Sequence, residues 1–316
     1  MKRALIAILV AAASPAAFAW GPLGHRVVAE TAALLVEDDL PATWGPLLAR
    51  HRFELGVYAF LPDASFRHND GARGKIEAPT HYLNLDVNAD GTTHGGTVDR
   101  RVAQFLELAR SQLKDVHAPK GAYQSGATAL GEARLVDLGL YDLGVMAHYS
   151  GDASMPYHAT SDFNGYARGE GGIHFYFETD CVNALEPGLA TDVLAAARKN
   201  RTRWLRAWKA NPKHPAELVM AVLQDSLKSV ATVSELDRLH AVTKLQAPGS
   251  TQNAQRKPAA EGCQAMRSVL VERLARGAVL TSALWESVLP RDVDFSGATD
   301  LQFSDMELGA AYVAPN

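Results

Sequence analysis

An all-α fold, built as one compact multi-helix domain, is what this sequence predicts, and three observations lead there. Apolar residues recur every three or four positions through several long stretches, the spacing that gives a helix one buried face. No stretch sustains the apolar–polar alternation of a half-buried strand, and no segment repeats another. Glycine, proline and polar clusters fall between the periodic stretches, where turns belong. At 316 residues the chain has ample length for a large core and a prior of one or two domains.

The N-terminus stands apart from that pattern. Lys2 and Arg3 are basic, residues 4–13 are apolar, and Ala17-Phe18-Ala19 is a small-x-small cleavage site. Residues 1–19 are therefore expected to be a signal peptide, and residues 20–316 the mature domain, beginning at Trp20. The apolar run is too short to span a bilayer and no second one follows, so no transmembrane anchor is expected. The expected destination is the periplasm or the medium. Of 31 Lys and Arg, losing Lys2 and Arg3 leaves 29 against 35 Asp and Glu, which gives no electrostatic case for a general nucleic-acid binder.

Taken in order, Val27, Val28, Ala32, Leu34 and Leu35 mark a first helix reaching about residue 37, entered through Gly24 with His25 at its start. Pro41 and Trp44 open a short second helix ending near Arg50. Residues 58–63 are mixed apolar and turn-like, and they hold Asp63 in a context too apolar for a casual surface carboxylate. A polar loop is expected over 67–75, then a briefly extended piece over 79–86 containing His81. Asp86-Val-Asn88-Ala-Asp90-Gly91 resembles the opening of a calcium loop, but Thr97 stands where the bidentate glutamate belongs and no helix precedes it. It reads as an ordinary turn. Val102, Phe105, Leu106, Ala109 and Leu113 share one face of a helix over 98–114, and residues 119–126 read as a linker.

From 132 to 154 the apolar residues go nearly all round, which predicts a central buried helix. Residues 165–172 are a flexible glycine-rich loop. Three more helices are expected over 191–209, 215–242 and 263–288. A mobile surface linker is expected over 246–262, and the tail from Pro290 has no periodicity.

The central helix carries the chemistry. His148 and Asp152 are four apart and project from one face, one turn apart. Pro156 has no amide hydrogen, so it ends the helix and swings His158 off its axis. His174 and Glu178 repeat the four-residue spacing. Imidazole and carboxylate are what zinc takes when cysteine is absent, and two such pairs with a fifth candidate point to more than one ion. The alternative is two ordinary helix-face pairs. Burying such groups is costly unless something pairs with them, and a metal does.

Collected in order, Trp20, His25, Asp63, His81, His148, Asp152, His158, His174 and Glu178 resemble the ligand set of one superfamily. It is the one shared by zinc-dependent bacterial phospholipases C and single-strand-specific zinc nucleases. The resemblance runs from Trp20 to about Glu178, and more loosely through the last long helix. It implies three zinc ions. Trp20, through a free α-amine and its carbonyl, and His25 hold one, and Asp152 bridges it to a second. Asp63, His81 and His148 complete the second, and His158, His174 and Glu178 hold the third. An α-amine has a pKa of about 8, so metal displaces its proton at little cost near neutrality. The expected cleavage would expose that amine.

The resemblance also implies phosphodiester hydrolysis, with Asp63 orienting or deprotonating the attacking water and Asp152 as structural bridge. Arg67 is a candidate stabiliser of developing charge, although its spacing from the aspartate differs from that in the nuclease branch. His174-Phe-Tyr-Phe-Glu178 carries the glutamate of the phospholipase branch, and residues 148–158 are also closer to that branch. Trp20-Gly-Pro-Leu-Gly-His25 resembles the nuclease branch. A choline cage needs aromatics and a carboxylate, whereas a nuclease needs a base-stacking slot; Tyr58, Phe60, Phe66, Tyr149 and Tyr157 are candidates for either.

The expectation is therefore an exported tri-zinc phosphodiesterase, leaning to phospholipid head groups. A single-strand-specific zinc endonuclease or 3'-nucleotidase is the second reading, and a non-catalytic zinc-stabilised protein the third. No stable protein partner is expected. Two cysteines, Cys181 and Cys263, suggest one disulfide in an oxidising compartment, two free thiols being the alternative; neither has zinc-knuckle spacing. His51, His68, His94, His117, His214 and His240 fit no ligand pattern and read as solvated surface. Trp204 and Trp208, four apart on a helix, read as core.

Overall fold

The computed structural model describes residues 20–67, 71–86, 95–116, 130–211, 214–293, 295 and 312–316. The expected signal peptide, the turn beyond Asp86, the linker at 119–126, and His68, His94 and His117 lie outside the described residues. The helices are α1 (Gly21–Asp39), α2 (Trp44–Arg50), α3 (Arg52–Tyr58), α4 (Gly71–Glu77), α5 (Val98–Leu113), α6 (Leu130–Ser154), α7 (Ile173–Phe175), α8 (Cys181–Ala184), α9 (Glu186–Ala207), α10 (Pro215–Leu236), α11 (Ala259–Gly262) and α12 (Arg267–Glu286). Two short antiparallel strands, β1 (Val242–Lys244) and β2 (Gln255–Arg256), pair Val242 with Arg256. The fold is all-α, as its periodicity predicts.

Helix α6 is the axis, with α1, α3, α5, α10 and α12 packed around it. Leu140, Leu143, Val145 and Met146 are fully buried, and truncating such a leucine to alanine costs about 2–5 kcal/mol. Two glycines set how close the neighbours come. A Cβ on Gly139 would lie 2.4 Å from Leu113 Cδ2, and one on Gly144 would lie 2.6 Å from Tyr58 Cβ. Helix α1 uses small residues the same way: Ala29, Ala32 and Ala33 are fully buried beside Val28 and Val36. Among the described residues no helix is long and apolar enough to cross a membrane.

Cys181 and Cys263 form a disulfide, with Cα atoms 5.2 Å apart and a sequence separation of 82. Closing a loop of that length in the unfolded chain stabilises the fold by about 4–5 kcal/mol in the chain-entropy description. Trp204 and Trp208 are buried and stacked with ring centroids 6.3 Å apart, and the Arg276 guanidinium lies over both rings.

Several expectations need correction. The polar loop at 67–75 is helical from Gly71, and α3 occupies a stretch with no clear periodicity. Residues 78–81 form a tight 3-10 turn, and only Leu83 makes an isolated bridge, to Gly96. Helix α9 is broken at its entry by Pro187 and by Gly188 (φ +81°), so its regular part begins beyond them. His51 is buried, 8% exposed, near Glu54. Segment 246–262 is not a loose linker, because it straps the glycine-rich loop. Gln246 N–H donates to Gly169 O at 3.0 Å, Gly249 N–H to Tyr166 O at 2.8 Å, and Ala254 N–H to Gly171 O at 2.8 Å. Gly165, Gly169 and Gly172 in that loop all adopt positive φ, which glycine adopts at no steric cost.

Candidate functional site

Six separate pieces of chain converge at one end of α6. Helix α6 presents His148 and Asp152 from successive turns, both with 0% exposure. The first turn of α1 contributes His25, and the wide turn at Pro62–Phe66 contributes Asp63. The turn after α4 contributes His81. Met155 leaves the helix in an extended conformation, and the turn Pro156–His158 carries His158 back toward the axis. Helix α7 brings His174, and a π-type turn over Tyr176–Asp180 brings Glu178. Such i→i+5 turns recur at functional sites because they re-aim a side chain within a helix. Leu83 N–H donates to His158 O at 3.0 Å and Leu85 N–H to Ala159 O at 2.9 Å, which fastens the His81 segment to the His158 segment.

The ligand atoms fall into three groups of mutually close donors: His25, Asp63 and His148; His81, His148 and Asp152; and His158, His174 and Glu178. In the second group His81 Nδ1 lies 2.9 Å from His148 Nε2 and 3.1 Å from Asp152 Oδ2, and His148 Nε2 lies 3.3 Å from that same oxygen. In the third, His174 Nε2 lies 3.1 Å from His158 Nε2 and 3.0 Å from Glu178 Oε2. Asp152 Oδ1 faces elsewhere, 3.5 Å from His158 Nδ1 and 3.6 Å from His25 Nε2. Asp152 thus touches all parts of the cluster. The expected partition placed His25 with Trp20 and Asp152; here the His25 ring also stacks on His148, with centroids 3.9 Å apart.

Backbone carbonyls fix which nitrogen points inward. His148 Nδ1–H donates to Ala59 O at 2.8 Å and His174 Nδ1–H to Phe163 O at 3.0 Å, so that each Nε2 faces the cluster. His174 Nε2 then lies 3.0 Å from a Glu178 oxygen, a contact that calls for a proton or a metal ion between the two atoms. Asp63 Oδ2, Asp152 Oδ1, His158 Nδ1 and both Glu178 oxygens are buried and make no hydrogen bond among the described residues.

Burial pushes the Asp63 carboxyl up to about 7, with Arg67 opposing and Glu178 adding to the rise. Burial also raises Asp152 well above the usual carboxylate range, reinforced by the charges of Asp63 and Glu178, and raises Glu178. Burial, with charged neighbours, holds His81, His148 and His158 well below the usual imidazole value. The protein alone thus disfavours charge on these three carboxylates and on these three imidazoles. A cation suits such a set: it stabilises the carboxylates as anions and needs the imidazoles neutral. Two donors about 2.0–2.1 Å from one tetrahedral zinc sit roughly 3.3 Å apart. The observed 2.9–3.3 Å separations in the second group fit that spacing.

Trp20 is fully buried at the entry of α1. Its indole N–H donates to Gly151 O at 2.9 Å, and its carbonyl accepts the His25 N–H at 3.2 Å, so that oxygen already serves the helix. Arg67 Nη1 lies 3.2 Å from Asp63 Oδ1, beside the cluster. Of the five aromatics expected to line a substrate pocket, Phe66, Tyr149 and Tyr157 are core, 0–1% exposed, and cannot cage a ligand. Tyr58 packs edge-on against Tyr141 at 5.2 Å. The aromatic at the cluster's margin is instead Phe163, 48% exposed, with its ring 6.1 Å from that of His174.

Sequence reasoning missed Phe163 and the orienting carbonyls of Ala59 and Phe163. A backbone oxygen leaves no signal in residue identity. It also missed Arg101, buried beneath Tyr149 and paired with Glu77 at 3.2 Å. Here a signal existed, since Arg101 is three positions after Val98 and four before Phe105, on the apolar stripe of α5.

Comparison with protein-family models gave no match, and neither did comparison with curated proteins. Among solved structures, a chain of Clostridium perfringens alpha-toxin from an avian strain superposes with a TM-score of 0.44 at 15% identity, covering 86% of this chain and 64% of that one. This chain therefore spans a little under two thirds of the length of that structure.

Proposed function

We propose that residues 20–316 form an exported hydrolase of phosphodiester bonds that works with divalent metal, zinc by donor type, bound at the buried cluster. The observation that carries this reading is Asp152. Its Oδ2 faces His81 and His148 while its Oδ1 faces His158 and His25, which suits a carboxylate bridging neighbouring ions. His25 and Trp20, then Asp63, His81 and His148, then His158, His174 and Glu178, would hold three ions around it. Two of the three close groups share His148, and Asp152 reaches beyond its own group, so the donors form one multi-ion cluster rather than separate closed sites. The disulfide agrees with export to an oxidising compartment.

When bound, zinc supplies positive charge that polarises a phosphoryl oxygen and acidifies water. The chain's own residues supply the rest. Asp63, at the edge of the cluster, takes the proton of the attacking water and passes it to the leaving oxygen as the phosphorus–oxygen bond breaks. Arg67, held beside Asp63, stabilises the charge that builds on the phosphoryl group. His148 and His174, pinned by backbone carbonyls, keep their orientation throughout.

Phospholipid head groups are the favoured substrate class, supported by glutamate at 178 in the third group. Single-stranded nucleic acid is the second reading, supported by the short Trp20–His25 spacing. Phosphatidylcholine and single-stranded RNA hydrolysis, timed side by side with zinc and with a chelator, separate the two. Chelator-sensitive phosphocholine release well above RNA cleavage is expected. The reverse ratio overturns the lipid reading, and activity on neither overturns the phosphodiesterase.

A further inference from the structure

The end of the bundle opposite the donor cluster contains a cavity of about 960 Å³ where α9, α10 and α12 meet. Asp39, on its wall, lies fourteen residues along α1 from His25, or roughly 21 Å at about 1.5 Å per residue. The cavity is built in two parts. Leu205, Ala210 and Ala283 are half-buried and give it an apolar wall over the buried Leu218, Leu284 and Leu289, and the exposed Arg206, Lys209 and Arg291 stand on the rim. The two acids on the wall, Asp39 and Glu286, are both paired with Arg201. Arg206 and Lys209 have no carboxylate partner among the described residues.

Lys209 has φ +52°, and among the described residues no other non-glycine is found in the left-handed region. It follows the end of α9, where Ala210 N–H closes onto Leu205 O at 2.9 Å, a position that glycine usually takes. Compensation of the helix dipole accounts for a cation in the last turn, such as Arg206. It does not account for a lysine kept in a left-handed conformation beyond that turn. Backbone strain retained at one residue points to a use for its side chain.

We propose that this cleft binds a single-chain anionic amphiphile, with its head group at Arg206, Lys209 and Arg291 and its acyl chain along Leu205, Ala210 and Ala283. Neither part of the cleft suffices alone: the rim is wet and gives little affinity to a bare ion, and the apolar wall accepts any apolar chain. The proposal does not depend on the phosphodiesterase reading, since it involves none of the cluster residues.

Calorimetric titration of the full chain with dodecyl phosphate, dodecanol and inorganic phosphate tests it. Dodecyl phosphate is expected to bind at least about tenfold more tightly than either fragment. Lys209→Gly removes the charge while relaxing the backbone, so its thermal midpoint is expected to equal or exceed that of the parent while affinity falls about fivefold or more. Adding Arg206→Ala is expected to weaken binding further. Equal binding of dodecanol would reduce the cleft to an apolar groove, and equal binding of phosphate would reduce it to an ion site; either overturns the proposal. So does affinity within about twofold of the parent in both variants, which would place the amphiphile elsewhere, the donor cluster included.

Discussion

Glu170 and Glu178 belong to one short segment and are equally buried, each with 0% exposure, yet the protein treats them in opposite ways. Glu170 is met on every side by donors. Its Oε1 accepts from Ser234 Oγ at 2.6 Å and from the Arg238 guanidinium, and its Oε2 accepts from Arg168 Nε at 3.3 Å. Beneath it Arg256 donates to the Glu170 and Gly171 carbonyls and holds Asp237 with two bonds of 2.8 Å. Among the described residues no arginine or hydroxyl donates to Glu178, and its nearest nitrogen is His174 Nε2, 3.0 Å from Oε2.

Burial alone does not mark a functional carboxylate. A buried charge completed by arginine and serine is structural, whereas one that faces only imidazole nitrogens suits the proposed cation.

The largest effect expected from this comparison is at the residue that joins the unsatisfied groups. Asp152→Ala should lower phosphodiester hydrolysis by well over about 100-fold, the upper range for losing a group that only orients a ligand. Zinc content by mass spectrometry should fall with it. Full zinc content and full rate in that variant would remove the bridging role.

The two glutamates should then separate in stability. Glu170→Ala strands the buried Ser234 hydroxyl and frees two partly exposed arginines, and should cost about 1–3 kcal/mol, a drop of several °C in thermal midpoint, with zinc per folded molecule unchanged. Glu178→Ala should release zinc and leave the chelated protein about as stable as the chelated parent. Similar losses in both chelated variants would erase the distinction.

Asp142 on α6 sharpens it from a third side, as a mostly buried carboxyl pushed by burial up to about 7 from 3.8. Below pH 3.8 it is neutral in both states, so Asp142→Asn should change nothing there. Between that pH and about 7 the unfolded chain ionises and the folded one resists, so the parent loses stability that the asparagine variant keeps. The gain should level off above pH 7, with a ceiling of about 4 kcal/mol from about 1.4 kcal/mol per unit. Denaturant midpoints across pH 4–8 measure it, and a pH-independent difference would assign the effect to packing.

The smallest effect belongs to the exposed margin. Phe163→Ala keeps the carbonyl that orients His174, so KM should rise about three- to tenfold with kcat nearly unchanged. A fall in kcat alone would make Phe163 part of His174's support instead.

Much of the cluster was legible because its donors obey helix geometry. His148 with Asp152 and His174 with Glu178 keep the four-residue spacing that a helix turns into one face, and Pro156 marks where the chain must turn back. His25 and His81 stand out only through the family resemblance, since each is a single polar residue with no partner nearby in sequence, whereas Asp63 was also marked by its apolar surroundings. The strap at 242–256 was not legible, because backbone-to-backbone bonds such as Gln246 to Gly169 carry no residue signature and a Pro, Gln and Ser composition mimics a loose linker. Helices α3 and α4 were missed for a related reason. At seven residues each they are too short to show a period, and tertiary packing rather than propensity holds them.

Metal binding by the convergent donors of this cluster is tested by anomalous diffraction at the zinc edge, from crystals of the chain with Trp20 as its verified N-terminus. Three peaks are expected: one among His81, His148, Asp152 and Asp63, one among His158, His174 and Glu178, and one beside His25 and the Trp20 amine. No peak at His174 and Glu178, with those two atoms still about 3 Å apart, would contradict it.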